Sequence, residues 1–399
     1  MFKAYCRAYQ GVMRTTSYFL PWREPELLEG ENSIKELPKR IKTQNIESVI
    51  IVTDQGIVSV GIMKDFLLGL RNENINYVVY DKTVPNPTID NIEEALQLYH
   101  SNNCNGIVAF GGGSPIDCAK GLAARVAKPN KSIQQMKGVL KILKKIPPLF
   151  AIPTTAGTGS EATIAAVVSN SETHEKYALM DPSLLPHVAV LDPILTINLP
   201  PHITAATGID ALTHAVEAYI GIGNTKETKQ QSIKAVKLIF DNLFEAYSNG
   251  TNITARKNMQ KAAYLAGLAF TRAYVGYVHA IAHTLGGFYS VPHGLANAII
   301  LPYVLEYYGD SIYQPLSELA DLVGISEQED TIEQKARKFI DAIKELNEKL
   351  AIPKKVSGII ENDISVMVER AFKEANPLYP VPKILFKEDL NTLYRQIKA

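Results

Sequence analysis

Four of the chain's eight histidines fall between His214 and His293, inside apolar stretches with helical periodicity, where an imidazole needs a partner. In GIDALTHAVEAY, Asp210 and His214 stand four residues apart, so a carboxylate and an imidazole share one helical face. In GYVHAIAHTLGG, His279 and His283 repeat that spacing, and His293 follows in VPHGLANA after the Gly286-Gly287 break. One carboxylate and three imidazoles can close around a divalent cation such as Fe(II) or Zn(II) and leave room for a substrate oxygen. Hydrogen-bonded core histidines are the competing reading. Recurrence of the spacing beside a nucleotide-type half brings the metal reading level with it.

A second chemistry lies in GIVAFGGGSPIDCAK, where an apolar strand runs into Gly111, Gly112 and Gly113, then Ser114 as a capping side chain and Pro115 in the first helical turn. Glycines let a ligand approach the backbone, and the free N–H groups of a helix start suit a pyrophosphate. The run is not G-x-G-x-x-G, because residue 116 is Ile, so a plain strand-to-helix turn stays open. In IPTTAGTGSEAT, Thr154, Thr155, Gly157, Thr158, Gly159 and Ser160 follow a strand directly. Small hydroxyl residues at such a strand end suit a flat polar ring or a phosphate. Asp54, in IIVTDQG, can accept hydrogen bonds from an adenosine ribose and would repel a 2′-phosphate, which favours NAD over NADP; an aspartate there can equally start a turn.

These residues need a scaffold, and the chain's texture supplies one. From about residue 47 to residue 192, the runs Ser48–Thr53, Tyr77–Tyr80, Gly106–Phe110, Leu149–Pro153 and His187–Leu191 read as buried strands. Helical stretches such as Asn91–Asn102 and Pro115–Ala127 lie between them, which argues a doubly wound, mostly parallel sheet covered on both faces. After Asp192-Pro193, strand signals give way to amphipathic helices such as Lys226–Ser248, Ala255–Arg272 and Asp330–Leu350. The expectation is an α/β dinucleotide-binding domain over 1–197 and an all-α metal-bearing domain over 198–399, divided near Leu199-Pro200-Pro201. The cleft between the halves is the expected ligand site.

Composition narrows the function. With 399 residues, 46% hydrophobic and 21% charged, the chain can bury large cores, and 41 basic residues balance 41 acidic ones. That balance gives no general attraction to nucleic acid or anionic lipid. No apolar run reaches the eighteen or so residues needed to span a bilayer. Cys6, Cys104 and Cys118 form neither a disulfide framework nor a thiolate metal site, which fits a reducing, cytoplasmic setting. The basic first 23 residues lack the apolar core of a secretory signal and are expected to be an ordinary ordered segment.

Taken in order, PNPT at 85–88, GGGSPID, PTTAGTGSE, KYALMDPSLLP, GIDALTHAVEAY and VHAIAHTLGGFYSVPHGLANA resemble the iron-containing (group III) alcohol dehydrogenases from about Tyr18 onward. The resemblance implies metal ligation by Asp210, His214, His279 and His293, with His283 near the nicotinamide. It implies a cofactor lining of Gly111, Gly112, Gly113, Ser114, Thr154, Thr155, Thr158 and Lys176, NAD selection at Asp54, and a reaction-centre aspartate at Asp117. It further implies a homodimer or higher homo-oligomer acting on a small alcohol or aldehyde. Thr271, Arg272, Ala273 and Tyr274 depart from the small-diol pattern, and a cation and a phenol there would suit an anionic or aromatic substrate. The segment before about Tyr18 is longer than the resemblance leads one to expect.

The expected reaction is reversible, metal-dependent hydride transfer between an alcohol and NAD, with His283 relaying the alcohol proton. Two alternatives stand beside it. One is a zinc-dependent relative of glycerol dehydrogenase or 3-dehydroquinate synthase type. The other is a non-catalytic assembly protein that kept the nucleotide domain.

Overall fold

The computed structural model describes residues 1–17, 19–20, 22–171 and 175–399. The chain forms two compact units: Pro21–Leu199, and Met1–Leu20 together with Pro200–Ala399. The leading helix α1 (Phe2–Ser17) therefore belongs with the helical unit, and the expected 1–197 domain begins only after it. The physical reason is its anchoring: Cys6 is fully buried, Phe2 stacks on Phe372, and Gln10 donates to the Pro377 and Tyr379 carbonyls. At the other boundary, Pro200 and Pro201 stand at the start of a helix, where the missing proline N–H costs no hydrogen bond.

The α/β unit carries β1 (Glu26–Glu29), β2 (Ser48–Val52), β3 (Asn76–Tyr80), β4 (Gly106–Gly111), β5 (Gly138–Val139), β6 (Leu149–Pro153), β7 (Ala165–Ser169), β8 (Lys176–Met180) and β9 (Val188–Leu191). Its helices are α2 (Leu37–Lys42), α3 (Gln55–Val60), α4 (Lys64–Asn72), α5 (Ile89–Ser101) and α6 (Gly113–Ala127). Six strands form one parallel sheet in the order β1-β9-β6-β4-β2-β3.

Every residue of β2, β4, β6 and β9 is buried, because side chains alternate between two covered faces. Ile50, Val52, Ile107, Ala109, Leu149 and Ala151 enter one core. Val49, Ile51, Val108, Phe110, Phe150 and Ile152 enter the other. The five expected strands all form. The edge strand β1 escaped the sequence reading because it is four residues long and its ends are exposed glutamates. The small sheet β5-β8-β7 was also missed; β7 alternates partly and fully buried positions, a weaker signal than a continuous apolar run.

The helical unit follows with α7 (Pro201–Ile220), α8 (Lys226–Ser248), α9 (Ile253–Ala273), α10 (Tyr277–Tyr289), α11 (His293–Tyr308), α12 (Tyr313–Val323), α13 (Ile332–Lys349), α14 (Ile364–Ala375) and α15 (Lys387–Ile397). Capping boxes at Thr225 and Thr331 start α8 and α13. From Gly208 to Ile220, α7 is buried on every side, so it is the central helix of this unit. Among the described residues no helix is long and apolar enough to cross a membrane.

Candidate active site

The central helix carries the first two candidate ligands. Asp210, His214 and Glu217 recur at helical spacing on α7, and all three are buried. His279 lies in the first turn of α10, and His293 opens α11. Tertiary packing gathers Asp210, His214, His279 and His293 until one ligand atom from each lies within 4.8 Å of the others. Gly294 permits part of this approach, since a Cβ there would stand 2.5 Å from the Ala206 carbonyl oxygen on α7.

His279 is held from behind. Glu217 accepts from His279 Nδ1 at 2.6 Å and from the Gly276 and Val278 N–H groups at 2.8 and 2.9 Å. With Nδ1–H committed to a carboxylate, His279 presents the Nε2 lone pair to the cluster. His214 stacks on Phe270 with centroids 4.1 Å apart. Burial raises the Asp210 carboxyl above the usual carboxylate range, and His279, Asn297 and His283 oppose that shift. Burial works against a charged His279, yet the Glu217 hydrogen bond and the charges of Glu217, Asp210 and Glu374 raise it overall.

The donor chemistry fits a divalent cation. Asn297 Nδ2 lies 2.7 Å from Asp210 Oδ1 and 3.2 Å from Nε2 of both His279 and His293. Its amide has two hydrogens for three acceptors, and its buried Oδ1 has no hydrogen-bond partner among the described residues. One carboxylate oxygen and imidazole nitrogens gathered around a single buried point are the donor set that a divalent cation takes. His283 stands apart: its Nδ1 donates to Glu374 Oε1 at 2.6 Å, and its ring stacks on His293 at 5.1 Å.

In the α/β unit, Gly111 ends β4, Gly112 is the extended residue before α6, and Gly113 opens the helix. Ser114 therefore lies inside the first turn and is not the cap; its Oγ accepts from the Asn86 N–H at 3.2 Å. Lys176 Nζ donates to Asn86 Oδ1 at 2.8 Å, so the PNPT turn joins Ser114 to a lysine on β8. Thr154 N–H donates to the Gly111 carbonyl at 3.0 Å. A Cβ on Gly113 would stand 2.7 Å from Thr158 Cγ2, and one on Gly112 would stand 3.3 Å from Thr155. The two glycine- and threonine-rich turns are thus packed together around the open start of α6, a cradle that side chains would fill and where first-turn N–H groups lack intrahelical acceptors.

Asp54 caps α3, accepting from the Ile57 N–H at 2.9 Å through Oδ1, while Oδ2 faces the Gly111 position of the neighbouring strand. It therefore does start a turn, as the alternative reading held, and it also sits beside the glycine run. Asp117 has internal partners: Oδ1 accepts from Ser160 Oγ at 2.6 Å and Oδ2 from the Val167 N–H at 3.0 Å. Desolvation raises its pKa, opposed by Lys120, Ser160 and Val167. The reaction-centre aspartate of the resemblance is, by these contacts, a carboxylate that ties α6 to the turn after β6 and to β7. Arg272 is salt-bridged to Glu227, which engages the cation that the sequence offered to an anionic substrate.

Three positioning groups were overlooked in the sequence. Glu217 is three residues after His214 and seven after Asp210, a spacing that places it on the same face. Asn297 is four after His293 and is equally readable. Lys120 is different: fully buried, it contacts oxygens of Ser160, Thr163 and Ala165 between 2.6 and 3.1 Å. Only the folded chain puts those acceptors there.

A parallel nucleotide-type sheet with a glycine cradle, and a helical unit with a buried Asp-His cluster, define a two-part metal-dependent oxidoreductase. Residues 25–193 match the family model described as iron-containing alcohol dehydrogenase, and residues 204–398 match the C-terminal model of the Fe-containing alcohol dehydrogenase family. The chain belongs to the iron-containing alcohol dehydrogenase family. It is 37% identical over 371 residues to a 1,3-propanediol dehydrogenase of Citrobacter freundii, covering 92% of this chain and 95% of that protein. It is 34% identical over 361 residues to an NAD-dependent methanol dehydrogenase of Bacillus methanolicus, covering 90% and 94%. The solved alcohol dehydrogenase from Oenococcus oeni superposes with a TM-score of 0.90 at 36% identity, over 94% of this chain and 98% of that one. The non-catalytic reading gives way to an alcohol–aldehyde oxidoreductase of the iron-containing family.

Proposed function

We propose that the chain interconverts short primary alcohols or diols and their aldehydes, with NAD preferred over NADP. The observation that carries this is the convergence of Asp210, His214, His279 and His293 within 4.8 Å, with Glu217 orienting His279. When bound there, a divalent iron supplies Lewis acidity at the substrate oxygen; Zn(II) suits the same donors. NAD supplies the hydride acceptor.

The chain's own groups bind and orient. The first-turn N–H groups after Gly111, Gly112 and Gly113 receive the pyrophosphate, and Ser114, Thr154, Thr155, Thr158 and Lys176 line the cofactor. Asp54 accepts from the adenosine ribose through the oxygen its cap leaves available. His283 takes the hydroxyl proton at Nε2, because Nδ1–H is committed to Glu374. Asp117 keeps its place by fixing Ser160 and Val167. With Arg272 paired to Glu227, a neutral substrate suits the site better than an anion.

Three buried free cysteines agree with a reducing, cytoplasmic setting, and a homodimer is the expected assembly. Light scattering that found only a 43.9 kDa species would remove the dimer from this reading. The decisive assay is reduced-nicotinamide formation by anaerobically Fe(II)-loaded protein, with NAD and NADP in parallel, against short, aromatic and carboxylated alcohols. Turnover with NAD and loss of metal and turnover together in His279→Ala are expected. Full activity in the metal-depleted variant overturns the reading.

A further inference from the structure

The segment Asn376–Val381 contains Pro377 and Pro380, with Pro382 just beyond, and residues without an N–H can neither continue α14 nor donate to a ladder. Its carbonyls need outside donors. Helix α1, which lies ahead of both family-matched spans, provides several of them, while Ile222 N–H donates to the Pro380 carbonyl at 2.8 Å. Gln10 Nε2 donates to the carbonyls of Pro377 and Tyr379 at 3.1 and 2.7 Å. Arg7 donates to those of Val381 and Pro382 at 2.7 and 2.8 Å and to Gln10 Oε1 at 2.9 Å. Gln10 is only 5% exposed. Phe2 stacks on Phe372 at 5.3 Å and lies 6.0 Å from Phe386, holding the residues that flank the segment.

What this segment carries is Tyr379. Its hydroxyl donates to Glu374 Oε1 at 2.8 Å, the same oxygen that accepts from His283 Nδ1 at 2.6 Å. We propose that α1 is an intrachain brace for His283, with Tyr379 and Glu374 as its positioning residues. Gln10 and Arg7 set the Tyr379 backbone, the Tyr379 hydroxyl sets the Glu374 carboxylate, and Glu374 sets the tautomer and orientation of the imidazole. The inference rests on the role given to His283 above; the contacts themselves do not.

The test separates the two. In Zn(II)-loaded, full-length protein with 15N-labelled histidine, the Nδ1–H resonance of His283 is assigned by its loss in His283→Ala. Gln10→Ala and Tyr379→Phe should each speed its solvent exchange by about tenfold or more, as a carboxylate acceptor loses its support. In the Fe(II)-loaded enzyme both variants should lower kcat about tenfold with the KM for NAD unchanged, and the loss should vanish in a His283→Ala background. Arg7→Lys, which keeps the charge but loses the paired donation to Val381 and Pro382, is the second variant should Gln10→Ala fail to fold. An unchanged Nδ1–H exchange rate in the folded variants overturns the brace. Equal kcat losses with and without His283 also overturn it, because α1 would then act by general stability. Full activity in His283→Ala would sink the proton-relay reading, and the exchange measurement would still decide the brace.

Discussion

Glu217→Gln is the sharpest probe of the metal centre, because one buried carboxylate serves three donors. Oε2 accepts from Gly276 N–H and His279 Nδ1, and Oε1 accepts from Val278 N–H. An amide keeps the shape but replaces one acceptor oxygen by a donor. If the amide oxygen takes the Oε2 position, Val278 N–H is orphaned; if it takes the other, Gly276 N–H and His279 Nδ1–H both are. Leaving one buried donor unsatisfied costs about 1–3 kcal/mol, so the first arrangement wins and the variant stays folded with that loss. A neutral amide also holds His279 less firmly than a carboxylate, which lowers metal affinity by about 10- to 100-fold. The assay is competition for Zn(II) against a chromophoric chelator, with thermal unfolding of the metal-free protein run beside it. A folded variant with parental metal affinity would refute the claim that Glu217 orients a ligand.

The cofactor turn makes a graded prediction: Gly113→Ala, whose Cβ would stand 2.7 Å from Thr158 Cγ2, should weaken NADH binding about tenfold, and Gly112→Ala, at 3.3 Å from Thr155, less than about threefold by fluorescence titration. Asp54→Ser keeps an α3 cap and removes the charge, so kcat/KM for NADP should rise at least about tenfold; an unchanged NAD-to-NADP ratio would show that Asp54 only starts the helix. His187 accepts from the Leu149 N–H at 3.1 Å, and burial, with Arg23 and Lys145 nearby, pushes its pKa down to about 4. Below the unfolded value near 6.5 the unfolded chain binds the proton first, so this group's contribution is lost as pH falls from about 6.5 toward 4. With screening at a partly exposed site the loss is about 1–2 kcal/mol, and His187→Gln should remove that acid-side slope in denaturant titrations. Burial pushes Glu161 up to about 7, giving the opposite sign: the native state holds a proton that the unfolded chain releases, and stability falls as pH rises from about 4.5 to 7. Glu161→Gln should flatten that limb; a parental profile in the variant would contradict the burial argument.

Much of this enzyme is written in local sequence. The runs SVIIV, GIVAFG and LFAIP specify buried strands because β-branched and apolar residues on both faces leave no solvent side, and their alternate residues do divide between two cores. The i, i+4 pairing of Asp210 with His214 is a property of one helix, and so is the extension of that face to Glu217. Helix starts at Thr225 and Thr331 are equally local. What no single segment contains is the convergence. His293 reaches Asp210 because α11 packs on α7 closely enough for Gly294 to meet Ala206, and His279 comes in from α10, tied to α7 through Glu217. Lys176, Asn86 and Ser114 are tied together from separate segments, Asp117 and Lys120 turn out to hold the residue 160–167 segment, and α1 donates to carbonyls of a proline-rich stretch more than 360 residues away. Spacing along a helix or strand follows from local geometry, whereas a buried hydrogen bond between distant segments exists only after packing has brought donor and acceptor together and excluded competing water.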